Sequence, residues 1–136
     1  SIVAESMSYI RDASSGSILG MYGVGARGTY GSTLNGSYNT YLDQENSLTI
    51  SNTSSSTSTV TINMYAGSAA YSPLTYTLGP RATREISIHS YVSNATYGRI
   101  EVIPTAGRTI IADLVRLKPT SSGAVEYAFP TEVRSR

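Results

Sequence analysis

Arg108–Arg134 reads RTIIADLVRLKPTSSGAVEYAFPTEVR, and Ser1–Arg27 reads SIVAESMSYIRDASSGSILGMYGVGAR, a divergent copy of it. Ile2 falls on Ile110, Val3 on Ile111, Ala4 on Ala112 and Glu5 on Asp113. After a slip of one residue, Arg11 falls on Lys118 and Ser14-Ser15-Gly16 on Ser121-Ser122-Gly123. Ile18 then meets Val125, Tyr22 meets Phe129 and Arg27 meets Arg134. Each copy reads as an apolar strand, a polar Ser-Gly turn and a returning strand, so a β-hairpin is expected at both ends of the chain.

The stretch between them alternates with a period of two. Leu48 and Ile50 share one face, as do Val60, Ile62 and Met64, then Leu74, Tyr76 and Leu78, then Ile86 and Ile88, then Ile100 and Val102. Polar turns separate these runs: NTSSSTS over Asn52–Ser58, Gly67–Ser72, Gly79-Pro80, and the loop Tyr91–Thr96. Gly25–Asn39 is rich in Gly, Ser, Thr, Asn and Tyr without a clear period and reads as a long surface connection. Gly20 and Gly23 weaken the first returning strand relative to its later counterpart. The expected organisation is a hairpin over 1–27, a flexible connection over 28–45 and a body over 46–136. The body is an all-β, immunoglobulin-like antiparallel sandwich of about seven strands, with the N-terminal hairpin added to it.

Composition agrees. The 136 residues are 40% hydrophobic and 14% charged, with 11 Tyr, one Phe, no Trp and no Cys. Ser and Thr exceed a quarter of the chain. Residues suited to a pleated surface dominate, and charge-rich helix formers are scarce. A net charge of +1 removes the electrostatic argument for nucleic acid or an acidic membrane as partner. No run is long and apolar enough to span a bilayer as a helix, so no membrane insertion is expected. Without cysteine there is neither a disulfide framework nor a thiolate metal site. Starting at Ser1 with neither Met nor a leader, the chain is expected to be a processed subunit or a fragment.

The succession NSLTISNTSSSTSTVTINMY, LGPRATREISIH, GRIEV and IIADLVR, over roughly Asn46–Arg134, resembles tandem Ig-like modules of bacterial secreted and cell-surface proteins. The resemblance implies an extracellular or cell-surface repeat module and supplies no catalytic residues.

Little in the chain proposes chemistry. Gly23-Val-Gly25-Ala-Arg-Gly28 matches GxGxxG, yet the Thr29-Tyr-Gly-Ser sequence after it cannot open the helix that a dinucleotide loop needs. His89 is the single histidine, at a predicted strand end, and no triad or zinc set surrounds it. Asp43 and Glu45 with Asn46 lack the spaced carboxylates of a calcium loop. Asp113, within an apolar run, reads as a solvent-side or arginine-paired carboxylate, with Arg84, Arg99 and Arg116 as partners. The chain is therefore expected to be no enzyme, with no catalytic, cofactor or metal residues.

The duplicated hairpin offers a different function. It fits a chain cut from a tandem array, two hairpins packed in one molecule, or a hairpin lent to a neighbour. The third is preferred: a non-enzymatic structural subunit that links head to tail with copies of itself, by strand or hairpin exchange, into a filament or surface array. Ile2, Val3, Ala4, Tyr9, Ile18 and Tyr22 are the candidate interface residues. The alternative is an adhesion or carbohydrate-binding module of a larger surface protein, with surface glycans as partner and Tyr30, Tyr38 and Tyr41 stacking on sugars. Asn35, Asn52 and Asn94 stand in sequons and are candidate glycosylation sites.

Overall fold

A computed structural model describes residues 5–25 and 31–135. Twelve strands follow in order: β1 (Glu5–Arg11), β2 (Ile18–Gly25), β3 (Leu34–Asn39), β4 (Glu45–Asn52), β5 (Ser58–Ala66) and β6 (Ala69–Ala70). They continue with β7 (Leu74–Leu78), β8 (Thr83–Ser87), β9 (Tyr97–Pro104), β10 (Ile110–Pro119), β11 (Val125–Glu132) and β12 (Arg134–Ser135). Two short 3-10 turns, Tyr41–Asp43 and Ile88–Ser90, also lie among the described residues. The fold is all-β, and every strand pair is antiparallel.

Three sheets form. One runs β11-β10-β4-β8, another β12-β3-β9-β5-β6 with β7 also on β5, and β1-β2 stand as a separate ribbon. The two larger sheets share one core. Leu48, Ile50, Ile110, Ala112 and Leu114 enter it from the first, and Leu34, Val60, Ile62, Met64, Ile100 and Val102 from the second. The cause is the alternation itself, since an antiparallel strand with one covered face must place every second residue inward. Most connections cross from one sheet to the other. β9 and β10 are consecutive yet lie in different sheets, and β10 pairs with β4.

The connection expected over 28–45 needs correction. Leu34–Asn39 is strand β3, inserted between β9 and β12, with Leu34 and Tyr38 fully in the core. Its inward positions read Leu34, Gly36, Tyr38. A Cβ on Gly36 would stand 3.1 Å from the Val133 side chain and 3.2 Å from that of Ile100, so glycine makes room for buried Val133. Ile88, read as part of a strand, is buried at the start of a 3-10 turn.

Tyr38 depends on a second glycine. It lies opposite Gly98 in the β3–β9 register, and its hydroxyl donates to the Tyr65 carbonyl at 3.0 Å. A Cβ on Gly98 would lie 1.8 Å from that carbonyl oxygen and 2.5 Å from the Tyr38 hydroxyl. The ring thus covers the backbone that glycine leaves bare. Burial first, with Tyr71 alongside, pushes the Tyr38 phenol up to about 12.

Candidate functional site

The two terminal hairpins repeat one device, and their geometries match closely. β1 pairs with β2 from Glu5↔Gly25 to Ile10↔Gly20, then shifts register so that Arg11 meets Ile18. β10 pairs with β11 from Asp113↔Glu132 to Lys118↔Tyr127, then shifts so that Pro119 meets Val125. Each hairpin therefore carries its irregularity one residue before the turn.

The turns close alike. Asp12 N–H donates to Ser17 O at 2.9 Å and Gly16 N–H to Asp12 O at 2.9 Å; Thr120 N–H donates to Ala124 O at 2.7 Å and Gly123 N–H to Thr120 O at 2.9 Å. Gly16 has φ 69° and Gly123 φ 81°, the left-handed region that favours glycine. The Asp12 carboxylate also accepts from Ser14 Oγ at 2.6 Å and from the N–H groups of Ser15 at 2.6 Å and Ser14 at 3.0 Å. These bonds, from Ser14 and then Ser15, hold the Asp12 carboxyl far below the usual carboxylate range.

One detail of the sequence alignment is corrected. The missing residue lies in the turn, which runs 12–17 in the first hairpin and 120–124 in the second. Arg11 thus takes the place of Pro119, and Ile10 that of Lys118. A one-residue difference within the regularly paired strands would turn the following side chains to the other face, whereas the turn absorbs it.

The surroundings of the two hairpins differ. β10 gives its second edge to β4 over eight paired positions, from Ile110↔Asn52 to Leu117↔Glu45. β1 has only β2 as a paired neighbour among the described residues. Val115 is 4% exposed, while Met7, at the equivalent position, is 49% exposed. Tyr9, Ile18 and Met21 are also exposed, and Tyr22 is half-buried. β2 lies against β11, where a Cβ on Gly20 would meet Val125 Cβ at 3.2 Å. Gly20, which weakens the strand locally, permits this close approach. Of the expected interface residues, Tyr9 and Ile18 are thus accessible on the hairpin; Ile2, Val3 and Ala4 lie outside the described residues.

Of the expected sugar-stacking residues, Tyr38 and Tyr41 are not brought together. Tyr38 is 1% exposed and cannot face a ligand. Tyr30 lies outside the described residues. Tyr41 is exposed, but its aromatic neighbour is Tyr97, with ring centroids 6.3 Å apart and planes at 36°. Tyr97 is 71% exposed, and Leu42 beside Tyr41 is also exposed on a turn whose Leu42 and Asp43 both have positive φ. Tyr97 stands next to Gly98, and that strand glycine is the signal the sequence carries for it.

Among the sequons, Asn52 is corrected. Its side chain is buried, with Nδ2 donating to the carbonyls of Ser56, Gly79 and Leu78 and Oδ1 accepting from Ser54. It joins strand ends and offers no amide to a glycan. Asn94 is exposed, and Asn35 is half-buried in β3.

His89 Nδ1 accepts the Asn46 N–H at 3.0 Å, and buried Asn46 in turn donates to Asn39 O at 2.7 Å. This network ties β4 to β3. Arg99 pairs with Glu101 at 2.9 Å and lies over the Tyr65 ring, while Arg84 lies over Tyr76. Among the described residues no group of three His, Cys, Asp or Glu side chains is placed to hold a metal ion. No helix among the described residues is long and apolar enough to cross a membrane.

No protein-family model and no curated protein matches the chain. A crystal structure of Thermotoga maritima 1070 is similar, with a TM-score of 0.56 over 76% of this chain and 92% of its own, at 14% identity. At that identity the likeness is one of fold alone.

Proposed function

We propose that the chain is a non-enzymatic structural subunit of an extracellular or cell-surface assembly, joined head to tail to bodies of its own kind by exchange of a β-strand or hairpin. One observation carries the reading: β1–β2 reproduces the strand register, irregularity and turn of β10–β11, yet its outer edge has no paired strand among the described residues. An unpaired edge beside exposed Met7, Tyr9, Ile18 and Met21 is a surface that a soluble chain ordinarily covers.

For the finer fold class we propose a sandwich that is Ig-like in its inner pairs, β4–β8 and β5–β9. The transfer of β10 to β4 gives it the sheet-crossing wiring of a jelly roll. The resemblance to bacterial surface modules supports the extracellular placement.

A second reading, an adhesion or carbohydrate-binding module, draws on exposed Tyr41 and Tyr97, whose rings present apolar faces with polar tips. Binding to a glycan array that vanishes in Tyr41→Ala and Tyr97→Ala would favour it.

Light scattering on the full chain and on a chain lacking residues 1–27 tests the first reading. The full chain should assemble as concentration rises, and the truncated chain should remain a folded monomer. Assembly of the truncated chain to the same extent contradicts the proposal.

A further inference from the structure

We infer that the inward face of the β10–β11 pair, where it runs past the core, is a binding site for the carboxylate of an acidic sugar. The inference rests on the second, carbohydrate-binding reading and names the class of sugar.

Strand register builds the site. Leu114 stands opposite Thr131, Arg116 opposite Phe129 and Lys118 opposite Tyr127. Directly opposed residues share a face, and Leu114 lies in the core, so all six side chains are on the inward face. Yet Phe129 is 54% exposed. The core ends before it, and the second sheet, which among the described residues ends at the two-residue strand β12, does not cover it. Along one face the apolar interior thus gives way to a hydroxyl, two cations and two aromatic rings.

The polar groups there are incompletely bonded. The Arg116 Nε and Thr131 Oγ1 atoms are buried and have no hydrogen-bond partner. They belong to diagonal neighbours across the strand pair, within reach of one bridging group. Buried donors are ordinarily satisfied, and an exception points to the group that completes it. Lys118 Nζ donates to the Leu42 carbonyl. Among the described residues no carboxylate pairs with Arg116 or Lys118. By alternation Asp113 is on the other face of β10. Of the three arginines expected beside Asp113, Arg84 lies over Tyr76 and Arg99 pairs with Glu101, whereas Arg116 has neither kind of partner.

A carboxylate fits this set. It accepts from the guanidinium and the hydroxyl together, and the Lys118 charge adds to the attraction. Tyr127 and Phe129, with ring centroids 5.1 Å apart, offer apolar surface to the C–H face of the ring that carries the carboxylate. A neutral sugar would leave the Arg116 charge unmatched.

NMR titration of the full chain with methyl glucuronoside and with methyl glucoside tests the inference, because the two sugars differ only at the carbon that carries the carboxylate. The glucuronoside should bind at least about tenfold more tightly and shift the amides of Arg116, Phe129 and Thr131. Arg116→Gln should abolish that preference. Lys118→Gln, a change outside the core, should reduce it, and Phe129→Ala should weaken both sugars. Equal binding of the two sugars, or shifts confined to Tyr41 and Tyr97, overturns the inference and leaves the carbohydrate reading standing. Succinate bound as tightly as the glucuronoside overturns the sugar assignment and counts against that reading as well. Binding of neither sugar overturns the inference.

Discussion

β10–β11 and β1–β2 are the same hairpin in two settings. Both place a register shift before the turn and a left-handed glycine within it, and both close the turn with the same pair of backbone hydrogen bonds. Local sequence is enough to build the ribbon: Ser-rich turns, a permissive glycine and β-prone strands act over a few residues. What local sequence does not supply is a sheet. β10 has β4 beside it and a core beneath it, while among the described residues β1 pairs only with β2. A lone two-stranded ribbon is marginal in water, so the difference in setting is also a difference in stability.

The sharpest way to break this comparison is to empty the core position under β10. Leu114→Ala removes a fully buried side chain and should cost about 3–5 kcal/mol in urea unfolding. A loss below about 1 kcal/mol would mean that β10 does not close the body.

Alkali should act on the body next. Because burial raises the Tyr38 phenol to about 12 from its ordinary 10, its contribution is fully present below pH 10. It is lost as pH rises through about 12, since the unfolded chain ionises first. The loss should amount to about 2–3 kcal/mol, and Tyr38→Phe should flatten the alkaline limb of a thermal-unfolding series.

Matched substitutions then compare the two settings directly. Val115→Ala should cost about 1–2 kcal/mol, and Met7→Ala, half exposed at the equivalent place, less than about 0.5 kcal/mol in the monomer. Equal costs would place the two strands in equivalent environments. The smallest effect belongs to the first turn. The Asp12 carboxyl is held well below its ordinary value, so its support is present above the ordinary carboxylate range and lost only as pH falls through the depressed value. Hydrogen exchange around Ser14 and Ser15 should therefore change in Asp12→Ala, with the amides of β4 unaffected.

Much of the body was legible because one face of each strand is buried: Leu48 and Ile50, Val60 to Met64, and Ile100 with Val102 lie in the core as their period requires. β3 was not, since Gly36 interrupts its apolar face to admit Val133, a residue nearly a hundred positions later. Tyr38 looked like a surface aromatic, and only the bare backbone at Gly98 and the Tyr65 carbonyl bring it inside. Asn52 carried a sequon and a turn signal, but its amide is used by carbonyls from two other segments. In each case the deciding partner is distant in sequence, and local propensity contains no term for it. The duplicated hairpin was legible in both copies. Neither copy's own sequence says that β4 pairs with β10 while, among the described residues, β1 pairs only with β2.

Amide hydrogen exchange on the full chain, resolved for β1 and β10 at low and high concentration, tests the central claim most directly. In dilute solution β1 amides should exchange orders of magnitude faster than those of β10, and they should gain protection as the chains assemble. Protection of β1 equal to that of β10 in the monomer, or none gained on assembly, would contradict the account.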